Sequence, residues 1–557
     1  MDPISLTASI LTIVNETYVV ANFIYRTIKS AKNADAEFEN IMSSMRVELL
    51  FLRSFLVYFE RARGSIIQVR DLDELWFEEI FHILRRLQND FHDYAKAMKA
   101  SGVEGSPQRQ SQLAPTTTRV GQRPDGFDLE ADPQWDKPPQ VMNLKNAVKW
   151  GLWGKSRLAE ALKTFHERNN SLKEVLALAT AAQLQQMTQS EHSLEKLIQD
   201  EDANRLGLSA HAQIHRLLTK PESQQDDRAL AAEIQDFSPG LDTTRCATLV
   251  TRMSMFNSRK QKVLVEVKKY PPGSEIFEMH EDSARQTKVK LRVNQLANLL
   301  KTSGSSSVGT LECMGFVNQP KLNQFAFIYQ FPPNATPCEP LNLYSIIREH
   351  EERSKPIWNL NARFKIALKV ASSICGFHAD GWVHKNLRSQ SLLFFKSSDA
   401  ESQLMIDSPY LAGFEYSRPE DGSTARDRDD DRDRNLYRHP ALQTVAGDSF
   451  NKVHDLYSLG VILLEIAMWR TASSIYRAPQ SGSSTESLGS GRIDPTRLHK
   501  QYVRQAKSKI PYLMGEAYSS AVLACLESKY ANHVYRADFS NLFYDQVVQN
   551  LSPQSLR

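Results

Sequence analysis

The chain has 557 residues, a formal net charge of +3, 41% hydrophobic and 24% charged residues. That length exceeds what one hydrophobic core fills, so two or three globular domains are expected. The near-neutral balance excludes a dedicated nucleic-acid binder. The cysteines (Cys246, Cys313, Cys338, Cys375, Cys525) are odd in number and lack paired spacing, which fits reduced intracellular thiols better than a disulfide scaffold.

Neither C-x-x-C nor H-E-x-x-H occurs. His211 and His215 lie one helical turn apart without a third ligand in view, and are expected at the surface. The N-terminus has no basic signal-peptide region, since Asp2 and Glu16 are its first charges. The apolar run Ile4 to Ile24 is interrupted by Ser5, Ser9, Thr12, Asn15, Glu16 and Asn22, too polar for a membrane span. A cytoplasmic location is expected.

Asp2-Pro3 has the form of an N-cap followed by proline in the first turn. Ser5, Ser9, Thr12 and Glu16 then make one thin polar stripe on a helix filled by Leu6, Ile10, Ile13 and Val14. Phe38, Met42, Met45, Leu49, Leu52, Leu56 and Phe59 step by three and four, as do Leu72 to Tyr94 in a third helix. Between 101 and 140, Gly, Pro, Gln, Thr and Asp dominate, and a disordered insertion is expected. Apolar stripes resume at Leu158, Leu162, Phe165, Leu172 and Leu176, and more weakly at Leu184, Met187, Leu194 and Leu197. Long helices with short connections predict an α-helical bundle over 1–200, followed by a helical connector over 201–235.

MDPISLTASILTIV and the block NAVKWGLWGKSRLAEALKTFHERNNSLKEVLAL resemble the helices of fungal HeLo and HeLo-like domains. The resemblance implies a bundle that serves cell death or heterokaryon incompatibility by acting on membranes. Leu6, Ile10, Ile13 and Val14 are then the candidate membrane-helix residues. A plain adaptor bundle has the same periodicity.

From 236 to 550 the pattern changes. Lys262 to Lys268 alternates like a strand, Phe325 to Phe331 is a second buried strand, and an apolar helix runs Ile366 to His378. The stretch GWVHKNLRSQSLLFF (Gly381 to Phe395) resembles the protein-kinase catalytic loop H-R-D-L-K-x-x-N, and HDLYSLGVILLEI resembles a C-lobe helix of that family. The implied fold is two-lobed α+β, following the helical bundle in a multidomain chain. Implied structural residues are His384, Phe414 and Asp455, with Asp455 accepting from the catalytic-loop backbone. Lys268 matches the V-A-I-K lysine and is the candidate nucleotide-phosphate contact, though strand-end solvation explains it equally well.

The groups that handle phosphate and metal are replaced. Asn386 stands at the catalytic Asp, Ser391 at the Mg²⁺-binding Asn, and Gly413 at the Asp of D-F-G, with no Gly-rich loop. An amide cannot take a proton, and Gly413 offers no carboxylate. Glu415, two residues on, is a doubtful substitute because neighbouring strand residues face apart. No catalytic residue and no metal is expected, and no cofactor is required. ATP binding, if any, is expected to be weak, metal-independent and dependent on Lys268. The charged run RDRDDDRDR (Arg426 to Arg434) is expected to be solvated, and the Ser/Gly-rich stretch 471–491 disordered.

The order of domains resembles mixed-lineage kinase domain-like proteins, in which a pseudokinase restrains a membrane-active bundle. That implies a non-catalytic signalling protein, recruited to membrane lipid on activation, with an unidentified upstream signalling partner, homo-oligomerisation or movement of the pseudokinase as the trigger, and no nucleic acid. The alternatives are a divergent active kinase and a scaffold without membrane action.

Overall fold

The structure, a computed structural model, describes residues 3–29, 36–61, 74–100, 144–186, 191–219, 249–256, 259–269, 284–304, 309–319, 322–398, 403–420, 431–443, 449–477, 493–527 and 538–552. The expected disordered insertion at 101–140, the end of the connector (220–235), Met187, residues 478–491 and the side chain of Leu6 lie outside the described residues. Two compact units divide the chain: 1–176 with 199–208, and 177–198 with 209–557. The helical segments 191–198 and 209–219 therefore belong with the second unit, although their periodicity continues that of the bundle.

The first unit is helical. It contains α1 (Pro3–Lys29), α2 (Ala36–Arg61), α3 (Glu74–Ala100), most of α4 (Leu144–Gln186) and α6 (Glu201–Leu206), which follows α5 (Glu191–Gln199). Ile10, Ile13 and Val14 of α1 are buried, against 0%, 7% and 0% exposure, so the residues proposed to meet a membrane form the core of the bundle. Each stabilises it by ~1.5–3 kcal/mol. Thr12 and Glu16 of the polar stripe are exposed. The face is less purely apolar than its sequence suggests, since Thr17 and Asn22 are also buried. Thr17 Oγ1 donates to the Ile13 carbonyl four residues back at 2.7 Å, which satisfies the hydroxyl without a partner helix.

Helices α2, α3 and α4 are joined by both ring and polar contacts. Phe91 meets Phe165 edge-on at 4.7 Å. The buried Glu48 carboxylate faces His166 Nδ1 at 2.6 Å and accepts from Asn169 Nδ2 at 2.8 Å. No described helix is long and apolar enough to cross a membrane.

The second unit mixes helices with small sheets. It includes α5, α7 (Leu208–Thr219) and a four-stranded antiparallel sheet of β1 (Leu249–Phe256), β2 (Arg259–Lys269), β3 (Cys313–Gln319) and β4 (Gln324–Tyr329) in the order β1-β2-β4-β3. Side chains alternate along a strand. Val263 and Val265 of β2 accordingly join Val317, Ala326 and Ile328 in one apolar cluster. Leu264, Glu266 and Lys268 share the opposite face. Helix α8 (Ala284–Gly304) packs on β3 and carries no acidic residue.

The remaining helices build a second core. They are α9 (Leu343–Arg353), α10 (Leu360–Ala379), α11 (Arg432–Asn435), α12 (Lys452–Met468), α13 (Ala472–Arg477), α14 (Pro495–Ser508), α15 (Ile510–Met514), α16 (Glu516–Leu526), α17 (Phe539–Phe543) and α18 (Gln549–Leu551). Helix α12 is buried on every side from Lys452 to Ala467, its polar residues His454, Asp455 and Glu465 included. Its start is set by a capping box in which Val453 N–H donates to Asn451 Oδ1 at 3.0 Å and Asn451 N–H to His454 Nδ1 at 2.9 Å. Two short sheets, β5 (Leu341–Asn342) with β7 (Leu392–Phe394) and β8 (Tyr410–Leu411), and β6 (Trp382–Val383) with β9 (Arg418–Pro419), frame the loop after α10. Helix α13 occupies 472–477, so the stretch expected to be disordered is ordered at its start.

Candidate functional site

The loop Gly381 to Ser391 is held from below by α12. Asp455 is fully buried and accepts from the backbone N–H of His384 at 2.6 Å and of Lys385 at 2.9 Å. Its Oδ2 also meets His378 Nε2 at 3.1 Å. Burial alone would raise the Asp455 carboxyl, but the His378 hydrogen bond and the nearby imidazoles hold it below its ordinary value. Lys385 is carried at φ +67°, a left-handed conformation that costs a non-glycine residue ~1–2 kcal/mol.

His384 is fully buried, and burial pushes its pKa down to about 4. The neutral ring has one proton. Its Nε2 faces the Ala412 carbonyl at 3.1 Å, which can only accept, so Nε2 carries the hydrogen. Nδ1 then accepts from the Asn386 N–H at 3.4 Å. Phe414 packs its ring 4.9 Å from His384 and 5.5 Å from Phe377.

Asn386, Ser391 and Gly413 come together. Ser391 Oγ donates to the Asn386 carbonyl at 2.9 Å. Gly413 sits at φ +86°, and a Cβ there would lie 3.0 Å from Ser391 Oγ and 3.7 Å from Asn386 Nδ2. The glycine therefore answers both a backbone angle and a close approach.

As a strand residue beyond Gly413, Glu415 is not expected to substitute for the missing carboxylate. The chain instead makes a 3-10 turn over Phe414–Tyr416, which redirects its side chain. Its Oε1 accepts from Asn386 Nδ2 at 3.1 Å and from Arg434 Nη2 at 3.2 Å. Burial raises the Glu415 carboxyl, and Arg434, Arg388 and Lys268 oppose that shift. Arg434 also donates to Tyr416 Oη at 2.7 Å and lies over the Tyr416 ring at 4.8 Å. The charged run expected to be solvated is thus docked at its last residue; 426–430 lie outside the described residues.

Lys268 reaches the same turn. Its Nζ donates to the Glu415 carbonyl, and to the Ser417 carbonyl at 3.4 Å. Burial first, and then the Lys385 charge, push its pKa down to about 8, with Glu266 and Glu415 pulling it back. Two residues earlier on the same face, Glu266 is 2% exposed. Its Oε2 accepts from Tyr329 Oη and from the Gly413 N–H, each at 3.3 Å. Burial and the Glu415 charge push the Glu266 carboxyl up to about 7. Sequence reasoning overlooked Glu266. The signal was available, as an acid inside the alternating Val-Leu-Val-Glu-Val run on the face of Lys268.

A second overlooked group is His211, expected at the surface. It is buried, with Nδ1 2.7 Å from Asp380 Oδ1. Asp380 follows α10 and immediately precedes the loop. His215 is half-buried, and burial lowers its pKa. The alternation of Leu208, His211 and Ala212 at helical spacing marks that face as inward.

Asn386, Ser391 and Gly413 carry no carboxylate of their own. Of the two acids that reach them, Glu266 accepts from the Gly413 N–H and Tyr329, and Glu415 from Asn386 and Arg434. Among the described residues no group of three or more His, Cys, Asp or Glu side chains is arranged to bind a metal ion.

Two comparisons bear on the chain. A family model described as a domain of unknown function (DUF7580) matches residues 326–555. A serine/threonine-protein kinase-like protein of Arabidopsis thaliana is 30% identical over 122 residues, 21% of this chain. The matched stretch spans 31% of that relative's length. The family model lies within the second unit, and the two matches together hint at a kinase-like region in the chain.

Proposed function

We propose that the chain is a non-catalytic signalling protein in which a pseudokinase domain of two-lobed kinase-like fold regulates a HeLo-like helical bundle. The observation that carries this reading is the fate of the catalytic positions. The amide at Asn386 is bonded to Glu415, Gly413 supplies only an N–H, and Lys268 is spent on backbone carbonyls. The bracing groups His384, Phe414 and Asp455 are meanwhile packed and satisfied. Loss confined to phosphate and metal chemistry, with the scaffold kept, is what a switch domain needs and what an enzyme does not tolerate.

In this reading the bundle is a membrane-acting module of cell death or incompatibility, cytoplasmic at rest. Ile10, Ile13 and Val14 leave the core only when an upstream partner or homo-oligomerisation triggers release. Nearly the same area is buried before and after, so lipid alone supplies little driving force.

The test is a thermal-shift titration of the full-length chain with ATP, with and without Mg²⁺, beside a phosphotransfer assay. The expected result is no Mg²⁺-dependent stabilisation and no phosphate incorporation. A Mg²⁺-dependent rise in Tm together with turnover would establish a divergent active kinase instead. Leakage of anionic liposomes by the chain when chemically dimerised tests the membrane part, and a folded dimer that leaves them intact would reduce the bundle to an adaptor.

A further inference from the structure

Helix α14 presents an exposed face that its own fold does not account for. Arg497, Lys500, Arg504 and Lys507 recur at steps of three, four and three, and all are exposed. The opposite face, Leu498, Gln501, Tyr502 and Ala506, is buried. No acidic residue occurs within the helix. An ordinary solvated helix interleaves signs, as α9 does, where Arg348 meets Glu352 at 2.6 Å and Arg353 meets Glu349 at 3.4 Å. On α14 like charges stand next to like charges, and Arg497 and Lys500 lie towards the positive end of the helix dipole. The arrangement works against helix stability.

The stripe also borders a concave surface. A shallow groove is lined by His499, Lys500, Val503, Arg504, Lys507 and Glu527. Val503 places an aliphatic patch among the cations. The one acid of the lining, Glu527, holds Lys507 at 2.7 Å from a neighbouring helix end. His499 Nδ1 is buried there without a hydrogen-bond partner.

We propose that this groove is the docking surface for an acidic segment of a partner protein. Carboxylates of the segment meet Lys500 and Arg504, one of them exchanges with Glu527 on Lys507, and an aliphatic side chain covers Val503. Charge complementarity selects the partner's sign, and arginine at a groove is a common interface anchor. Concavity favours a peptide segment over a flat lipid surface. The inference is independent of whether the unit is catalytic.

The experiment uses the full-length chain and a fluorescein-labelled oligoglutamate peptide with one central leucine, read by fluorescence anisotropy. Lys500→Glu and Arg504→Glu are expected to weaken binding about tenfold or more without lowering Tm, because both side chains are exposed and each change relieves like-charge crowding on the helix. Replacing the peptide's leucine by serine weakens it further. Lys396→Glu, an exposed lysine elsewhere in the same unit, leaves it unaltered. Absence of binding, or equal loss in all three variants, overturns the proposal. Phosphatidylserine vesicles bound through Lys500 and Arg504 while the peptide is not would overturn it in favour of a lipid surface.

Discussion

The side-chain amide of Asn386 donates to the carboxylate of Glu415 at 3.1 Å, and the same oxygen receives Arg434 at 3.2 Å. A group that cannot accept a proton is thereby tied to the residue beyond Gly413 and to the segment that follows. The contact closes the loop at Asn386, the turn after Gly413 and the segment at Arg434 on one another.

That closure has a measurable energy. Glu415 and Arg434 are each about one-fifth exposed in their side chains, so solvent screens the pair only in part. A double-mutant cycle with Glu415→Gln and Arg434→Gln should give a coupling of ~1–2 kcal/mol by urea unfolding, falling in high salt. Backbone amides of Asn435 to Tyr437 should exchange faster in either variant. A coupling indistinguishable from zero would mean that the ion pair does not hold the segment.

Glu266 makes stability depend on pH. Its folded pKa, about 7, lies above the ordinary carboxyl value of 4.5, so the folded state keeps a proton that the unfolded chain releases. Its contribution is therefore fully present below about pH 4.5 and is lost as pH rises through 7. Glu266→Gln removes this dependence. The variant should match the parent at pH 4.5 and exceed it by up to ~3 kcal/mol at pH 8. Equal pH profiles for the two proteins would show that the carboxyl titrates normally.

Restoring an acid at Gly413 should not restore a metal site. With φ at +86° and Ser391 Oγ 3.0 Å from the new Cβ, Gly413→Asp is strained and crowded. The expected cost is ~1–3 kcal/mol in unfolding free energy. Mg²⁺-ATP should still give no thermal shift, alone or combined with Asn386→Asp. Gain of Mg²⁺-dependent binding in the double variant would contradict the strain and crowding at Gly413.

His211 and Asp380 form a nearly dry pair, with side chains 1% and 3% exposed. Breaking it from one side leaves a polar partner buried alone, so His211→Ala or Asp380→Ala should each cost ~3–5 kcal/mol. Replacing both should cost less than the sum. Additive losses would show that the two side chains do not depend on each other.

Much of this protein is local and was legible in its residues. The three-four stepping of Met42, Met45 and Leu49, the alternation Val263 to Val267, and the helix Leu456 to Met468 follow from backbone periods of 3.6 and 2, which any short window reveals. The replacements at Asn386, Ser391 and Gly413 are equally local, being identities at fixed spacings from His384. What only the tertiary structure decided is where charge goes. Glu266, Lys268, Glu415 and Arg434 are scattered along the chain, and their meeting depends on strand pairing, the turn after Gly413 and the docking of α11. Strand alternation alone would put Glu415 on the face of Gly413, two residues back, and it is the 3-10 turn at Phe414 that decides where the carboxylate goes. The surface expectation for His211 rests on the missing third ligand. The spacing of Leu208, His211 and Ala212 does mark an inward face, but that Asp380 is the neighbour covering it is set by packing, of which a single helix carries no record.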